Sequence, residues 1–181
     1  MGGCSSQVVP EEVAVQQQPR KQNWLVCCRH RKQSSTTKLL GSKDKDNEAV
    51  KPTPEEAKTW ETDFSALLHN KYGINIFQEF LRTQYGDENL NFWIAVEEYR
   101  NISDVNTRNE MARMIYEDYV STLSPTEISL DAKIRAAVDK QMSSPDENTF
   151  RPAQQHIYNL MYRDCFPRFV KSKTYQQLTE S

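Results

Sequence analysis

From Thr53 onward the apolar residues recur every three or four positions, and no segment of several residues alternates apolar with polar strictly enough to form a strand. Trp60, Phe64, Leu67 and Leu68 make the first such stripe, and Ile76, Phe77, Phe80 and Leu81 the second. Leu90, Trp93, Ile94 and Val96 follow, then Met111, Met114, Ile115 and Tyr119, then Leu130, Ile134, Ala137 and Val138. Phe150, Ala153, Ile157, Leu160 and Met161 make one more. Glycine agrees with this pattern: the chain holds only five, and after Gly41 only Gly73 and Gly86 remain. A β-sandwich or a nucleotide-binding α/β fold needs more glycine for its turns. The expected architecture is all-α, with about nine short and medium helices.

The punctuation marks the helix ends. Thr53 is the expected N-cap of the first helix, Pro54 its first residue, and Glu55 and Glu56 favour its positive end. Gly73 is expected to interrupt the chain between the first two stripes. Tyr85-Gly86 breaks the second, and Asp87 and Glu88 open the next helix. Ser103-Asp104, Ser124-Pro125 and Ser143-Ser144-Pro145 are further breaks, and a long helix should end near Leu123. Pro167 should break or kink the last long run, leaving a short final helix or two.

Charge divides the chain. Residues 1–43 hold seven Lys/Arg and two acids, for +5, whereas residues 44–181 hold sixteen and twenty-three, for −7. Residues 1–52 read as a disordered basic tail, because Gln, Ser, Thr, Lys and Pro dominate and Trp24-Leu25-Val26 is the one apolar cluster with an aromatic residue. Residues 53–181 read as the folded domain. An acidic body argues against nucleic acid as the partner. The four cysteines, Cys4, Cys27, Cys28 and Cys165, have neither disulfide nor zinc spacing, so a reduced intracellular protein is expected. No stretch approaches a membrane span, and the N-terminus lacks the apolar core of a secretory signal.

Catalytic patterns are missing. There is no P-loop, GxGxxG or GxSxG, and His30, His69 and His156 are scattered without metal-ligand spacing, so neither cofactor nor metal is expected. Glu97-Glu98 and Glu117-Asp118 are read as solvated helix faces rather than paired catalytic acids. Two segments depart from the structural pattern. Tyr85-Gly86-Asp87-Glu88-Asn89 is a polar cluster wedged between apolar runs, and helix punctuation alone would account for it. Asp164 continues the spacing of Ile157, Leu160 and Met161, so it tends towards the apolar side of its helix and needs a partner. That partner is either Arg168, in an ion pair, or another protein.

The tail has chemistry of its own. Met1-Gly2-Gly3-Cys4-Ser5-Ser6 fits the N-myristoylation pattern at Gly2, with Cys4 placed for palmitoylation. Cys27 and Cys28 follow an apolar triplet and precede Arg29, Arg31 and Lys32. A single myristoyl chain holds a membrane only marginally, so a second acyl chain or a basic patch is required, and this tail has candidates for both. The expectation is attachment to the anionic inner leaflet of the plasma membrane, with a cytosolic pool.

Four blocks resemble a known family. Phe80-Leu81-Arg82-Thr83-Gln84-Tyr85-Gly86-Asp87-Glu88-Asn89-Leu90-Asn91-Phe92-Trp93 is similar to the most characteristic stretch of RGS (regulator of G-protein signalling) domains. Ile115-Tyr116-Glu117-Asp118-Tyr119-Val120, Ile128-Ser129-Leu130-Asp131 and Ile157–Asp164 running on to Pro167-Arg168-Phe169 resemble it in the same order. Tyr116–Pro125 and Phe166–Phe169 resemble the RZ subfamily, whose members carry cysteine-rich, palmitoylated N-terminal segments and act on the Gi, Go and Gz class. The resemblance implies a nine-helix, two-lobed fold. One lobe is a four-helix bundle over roughly Asp87 to Asp164, and the other joins the first three helices to the last two. It implies a GTPase activator for Gα subunits, acting as a monomer without an active site of its own. The alternative is an RGS-like scaffold that binds Gα or other signalling proteins without accelerating hydrolysis.

By position, the resemblance assigns Glu88 and Asn89 to contact with the Gα switches, Asn89 nearest the catalytic glutamine of Gα. Ser129 takes a loop position on the same surface. Leu160, Asp164 and Arg168 complete that surface, with Asp164 accepting hydrogen bonds from the first switch and Arg168 holding Asp164. Tyr85 and Arg135 match contact positions as well. Gly86 and Cys165 stand where serines are common in the family.

Overall fold

The computed structural model describes residues 50–180, and the tail residues named above lie outside them. Among the described residues there are nine α-helical segments and no strand. They are α1 (Pro54–Thr59), α2 (Phe64–His69), α3 (Lys71–Arg82), α4 (Glu88–Arg100), α5 (Val105–Ile115), α6 (Ala132–Gln141), α7 (Arg151–Leu160), α8 (Phe166–Val170) and α9 (Lys173–Glu180). Two single π turns extend them, Tyr116–Val120 after α5 and Met161–Cys165 between α7 and α8.

Local sequence accounts for the helix starts. The Thr53 side chain accepts from the Glu56 amide and the Glu56 carboxylate accepts from the Thr53 amide, a capping box ahead of Pro54. Asp63, Asn70 and Asp104 cap α2, α3 and α5 in the same way, each accepting from an amide of the first turn. Asp87 stands at the cap position of α4 but makes no capping bond. Its carboxylate accepts from Asn91 Nδ2 at 3.1 Å and lies 3.5 Å from Arg82 Nε.

Gly73 does not interrupt the chain, as the sequence suggested: it lies buried in the first turn of α3, and the break falls at Asn70. A Cβ at Gly73 would stand 2.6 Å from the Leu67 carbonyl oxygen and 3.0 Å from Leu67 Cδ1. The glycine is there because α2 and α3 meet backbone to backbone, not because the chain must turn.

The helices form two lobes. In the bundle, α4 packs on α5 and α7, and α6 packs on α7. Leu90, Phe92, Trp93, Ala95, Val96 and Tyr99 of α4 are all buried, so this helix is enclosed on most of its circumference. Phe92, Tyr99, Tyr119 and Phe150 meet edge to face in the bundle core. In the terminal lobe α2 packs on α3, α8 on α9 and α9 on α1, and the Tyr175 hydroxyl donates to the Ala57 carbonyl at 2.8 Å. A second aromatic cluster fills this lobe, where Phe64 contacts Phe77, Tyr158, Tyr162 and Phe166, and Phe77 and Tyr175 both contact Phe169.

Pro167 opens no loop, and the two short final helices expected from it, α8 and α9, are present. It sits in the first turn of α8, directly after the π turn, where the Phe166 amide donates to the Met161 carbonyl. The wide turn inserts one residue between two helical repeats, so Cys165 and Phe166 are both buried and Phe169 reaches the terminal lobe. The run 151–170 therefore serves both lobes without a loop. The helix expected to reach Leu123 ends at Val120, and Leu123 is exposed in the connection that follows.

Candidate functional site: a surface of three converging segments

Three segments meet at one end of the bundle: the α3–α4 connection (83–87), the α5–α6 connection (121–131) and the π turn between α7 and α8. Two cross-links show their proximity. Arg168 donates to the Gln84 side-chain oxygen, and an open groove of about 470 Å³ is lined by Tyr85, Asp87, Glu88, Asn91, Tyr119, Pro125, Thr126 and Glu127.

The α3–α4 connection ends α3 with two overlapping bonds, Tyr85 N–H to the Arg82 carbonyl at 3.2 Å and Gly86 N–H to the Leu81 carbonyl at 3.1 Å. This closure requires a left-handed residue, normally glycine, but Tyr85 takes it with φ 54°. Gly86, the neighbouring glycine, has no positive φ. The cost at Tyr85 is about 1 kcal/mol, and it holds a tyrosine ring 96% exposed at the rim of the groove.

Glu88 and Asn89 form the first turn of α4, half buried. Asn89 Nδ2 donates to Glu88 Oε1 at 3.2 Å, and Asn89 Oδ1 is buried with no hydrogen-bond partner among the described residues. A buried carbonyl oxygen left unpaired costs about 1–3 kcal/mol, so it marks a position where the surroundings have not been optimised for stability. Burial raises the Glu88 pKa above the ordinary carboxylate value, and adjacent Asp87 adds to the rise, against a lowering by a backbone N–H.

The α5–α6 connection is laced from within. Ile128 is buried and donates its amide to the Tyr119 carbonyl at 2.9 Å, while Thr126 Oγ1 donates to the Asp118 carbonyl at 2.6 Å. Arg135, in the first turn of α6, donates to the Val120 carbonyl and to Glu127 Oε1 at 2.6 Å. Its guanidinium is thus engaged in holding the loop. Ser129, next to buried Ile128, is exposed.

On the last segment the sequence placed Asp164 on the apolar side, and the structure corrects this. The buried row is Ile157, Met161 and Cys165, whereas Leu160, Asp164 and Arg168 form the neighbouring row four residues apart, all exposed. Asp164 Oδ2 accepts from Arg168 at 2.7 Å, and Arg168 Nε donates to the Asp164 carbonyl at 3.2 Å. The Asp164–Arg168 ion pair expected from the sequence is therefore present. At this exposure the pair contributes little to stability and serves to aim the carboxylate. The Cys165 thiol beneath is pushed up in pKa by burial, and then by Asp164.

The surface therefore brings together Tyr85, Glu88 and Asn89 with Asp164 and Arg168, through Gln84. Asp87, Glu88 and Glu127 line the groove, Asp164 is exposed on the last segment, and the Asn89 side-chain oxygen lies buried in the first turn of α4. Sequence reasoning missed Gln84, whose link to Arg168 joins residues 84 positions apart, and Glu127, the partner of Arg135. Neither pairing has a periodic signal. Among the described residues no group of three or more His, Cys, Asp or Glu could hold a metal ion, and no helix is long and apolar enough to cross a membrane.

The chain matches the family model "Regulator of G protein signaling domain" over residues 63–178. It is 47% identical over 127 residues to Regulator of G-protein signaling 19 of Rattus norvegicus, covering 70% of this chain and 59% of that protein. To Regulator of G-protein signaling 20 of Gallus gallus it is 45% identical over 134 residues, 74% of this chain and 62% of the relative. The chain thus spans about three fifths of the length of these relatives, both of the RZ subfamily. Among solved structures it resembles the PDZRhoGEF rgRGS domain in a complex with Galpha-13 bound to GTP-gamma-S. That likeness has a TM-score of 0.59 at 14% identity, covers 78% of this chain and 70% of that one, and concerns the fold. Matched by a family model over most of its length and folded as two helical lobes, the chain belongs to the RGS domain family.

Proposed function

We propose that this protein is a GTPase activator for heterotrimeric G-protein α subunits of the Gi, Go and Gz class, with Gq as a further candidate. It binds the switch segments of Gα in their transition-state arrangement and so terminates signalling. The observation that carries this reading is the three-segment surface, where Asn89, its side-chain oxygen unpaired, follows Glu88 in the first turn of α4 and Arg168 ties Asp164 to Gln84 across the segments. The relatives are named as regulators of G-protein signalling, and the structural neighbour is held by a Gα subunit.

The chemistry asked of such a surface is small. Gα supplies its own arginine in cis and hydrolyses GTP at about 10⁻² s⁻¹. An activator need not insert a catalytic group, since preferring the transition-state switches over the ground-state ones is sufficient. Each tenfold acceleration requires about 1.4 kcal/mol of that preference. Hydrogen bonds at Asn89, Glu88 and Asp164 are each of the right size, at about 1–3 kcal/mol where one partner is charged. Asn89 completes its amide against the switch that holds the catalytic glutamine. Asp164, aimed by Arg168, accepts from the first switch, and Tyr85, Ser129 and Leu160 frame the contact. Arg135 acts from behind, through Glu127 and the loop that carries Ser129.

The tail is proposed to anchor the protein at the cytoplasmic face of the plasma membrane through acyl chains on Gly2 and on cysteines among Cys4, Cys27 and Cys28. The protein acts there as a monomer. The function is tested by single-turnover GTP hydrolysis across a panel of purified Gα subunits with the full chain added. Acceleration of at least one Gα, with tighter binding to the GDP–aluminium-fluoride state than to plain GDP, is expected. Equal binding to both states without acceleration would replace this reading with that of a scaffold.

A further inference from the structure

The sequence holds three Ser/Thr-Pro dipeptides: Thr53-Pro54, Ser124-Pro125 and Ser144-Pro145. A kinase cleft takes its substrate extended, exposed and with a free hydroxyl, and the structure separates the three on those grounds. Thr53 is locked in the capping box, its Oγ1 accepting from the Glu56 amide at 3.3 Å and its own amide held by Glu56 Oε2 at 2.9 Å. Helix α1 begins at the next residue. Ser124 is a structural strut, since its hydroxyl donates to the Asp118 carbonyl and accepts from the Thr126 amide at 3.0 Å. Phosphorylating either one would first require breaking those bonds.

Ser144 differs from both in its hydroxyl, and from Ser124 in its exposure. It lies in the α6–α7 connection, three residues past Gln141, the last of α6, and it is exposed. Only its backbone is tied, by an amide bond to the Gln141 carbonyl at 3.0 Å, and its hydroxyl engages no other group among the described residues. Ser144 lies in a bend past the end of α6, and Pro145 after it keeps it out of helix. The connection is anchored further on instead: the Tyr99 hydroxyl donates to the Asp146 carbonyl, and the Asp146 amide donates to Thr149 Oγ1 at 2.8 Å. Ser144 can thus enter a cleft while the bundle core stays closed.

We infer that Ser144 is a phosphorylation site for a proline-directed Ser/Thr kinase, placed so that it is modified while the three-segment surface is occupied. The kinase transfers the γ-phosphoryl group of ATP to Ser144 Oγ. The hydroxyl proton leaves to the kinase's base, the new P–O bond forms as the bond to ADP breaks, and about −1.5 to −2 of charge is added at pH 7. Helix α6 carries the chain from the α5–α6 connection to Ser144, and its ten residues separate the two by about 15 Å. The second half of this inference rests on the proposed Gα-binding reading, whereas the site itself does not.

The test has two arms. The purified full chain is incubated with a proline-directed kinase and ATP, and the phosphate is mapped by mass spectrometry. Ser144 should be the principal site, and Pro145→Ala should slow its modification at least about tenfold, equivalent to about 1.4 kcal/mol. The melting temperature of the phosphorylated chain should stay within about 2 °C of the parent. Phosphate on Thr53 or Ser124 ahead of Ser144, none on Ser144, or a larger drop in melting temperature overturns the site. In the second arm the chain is first saturated with Gα in the GDP–aluminium-fluoride state. An unchanged rate at Ser144 supports the placement, and protection of Ser144 in a complex shown to form overturns it. Failure of the complex to form rejects the Gα reading while leaving the mapping of the free chain intact.

Discussion

Asn89 is the residue where stability and function part company. Its buried oxygen has no partner among the described residues, so removing the amide should cost the fold little and the activity much. Asn89→Ala should lower single-turnover GTPase acceleration about tenfold or more, with an unchanged unfolding midpoint. Unchanged rates at saturating variant would remove Asn89 from the mechanism. Glu88 makes a related point through pH. Its folded pKa is raised chiefly by burial, so the folded state holds the proton more tightly than the unfolded state. That contribution to stability is present below the unfolded pKa and is lost as pH rises through the folded one. Glu88→Gln should therefore raise the melting temperature at neutral pH and flatten its dependence on pH in the acid range, as thermal unfolding across pH would show. Tyr85 adds strain to this list: Tyr85→Gly relieves a left-handed tyrosine and should stabilise by up to about 1 kcal/mol.

At the scale of elements, glycine and the π turns set the geometry. The α2–α3 crossing leaves no room for a methyl group at Gly73, because the atom in the way is a backbone oxygen that cannot rotate aside. Gly73→Ala should destabilise the domain by about 1–3 kcal/mol, measured by denaturant unfolding, although alanine is the better helix former. A neutral or stabilising result would mean that the two helices are not held at this distance in solution. The π turn at Met161–Cys165 turns one helical run into a bridge between lobes and leaves Leu160, Asp164 and Arg168 along its outer edge. Arg168→Lys keeps the charge but loses the fork that reaches Asp164 and Gln84 together. It should weaken activation, with Gα affinity falling more than the rate at saturation, in a titration of hydrolysis rate against activator.

At the scale of the whole molecule, the acidic domain and the basic tail are proposed to divide the work. The proposed anchor uses two signals, so losing one should weaken attachment and losing both should release the protein. Cells expressing Gly2→Ala together with Cys4, Cys27 and Cys28 changed to serine should show most of the protein in the soluble fraction. Acceleration of GTP hydrolysis by that variant in detergent-free solution should equal the parent's. Full pelleting with membranes would show that the domain or a protein partner holds it there.

The sequence by itself determined that the domain is helical and where its first helix is capped, because both are local: a stripe repeats within four residues, and Thr53 finds Glu56 three positions on. It also determined the family, through four ordered blocks, and with it Asn89, Asp164 and Arg168 as candidates. What only the tertiary structure decided were contacts between distant parts of the chain. Gly73 read as a break because nothing local announces that Leu67 presses against it. Asp164 read as inward because a π turn adds one residue to the repeat, and periodicity assumes none is added. Arg135 read as a surface contact, yet its position gave no sign that Val120 and Glu127 would occupy its guanidinium from across the loop. Hydrophobic spacing encodes which face of a helix turns inward, but the meeting of Gln84 with Arg168 exists only after α3 and α8 have packed together.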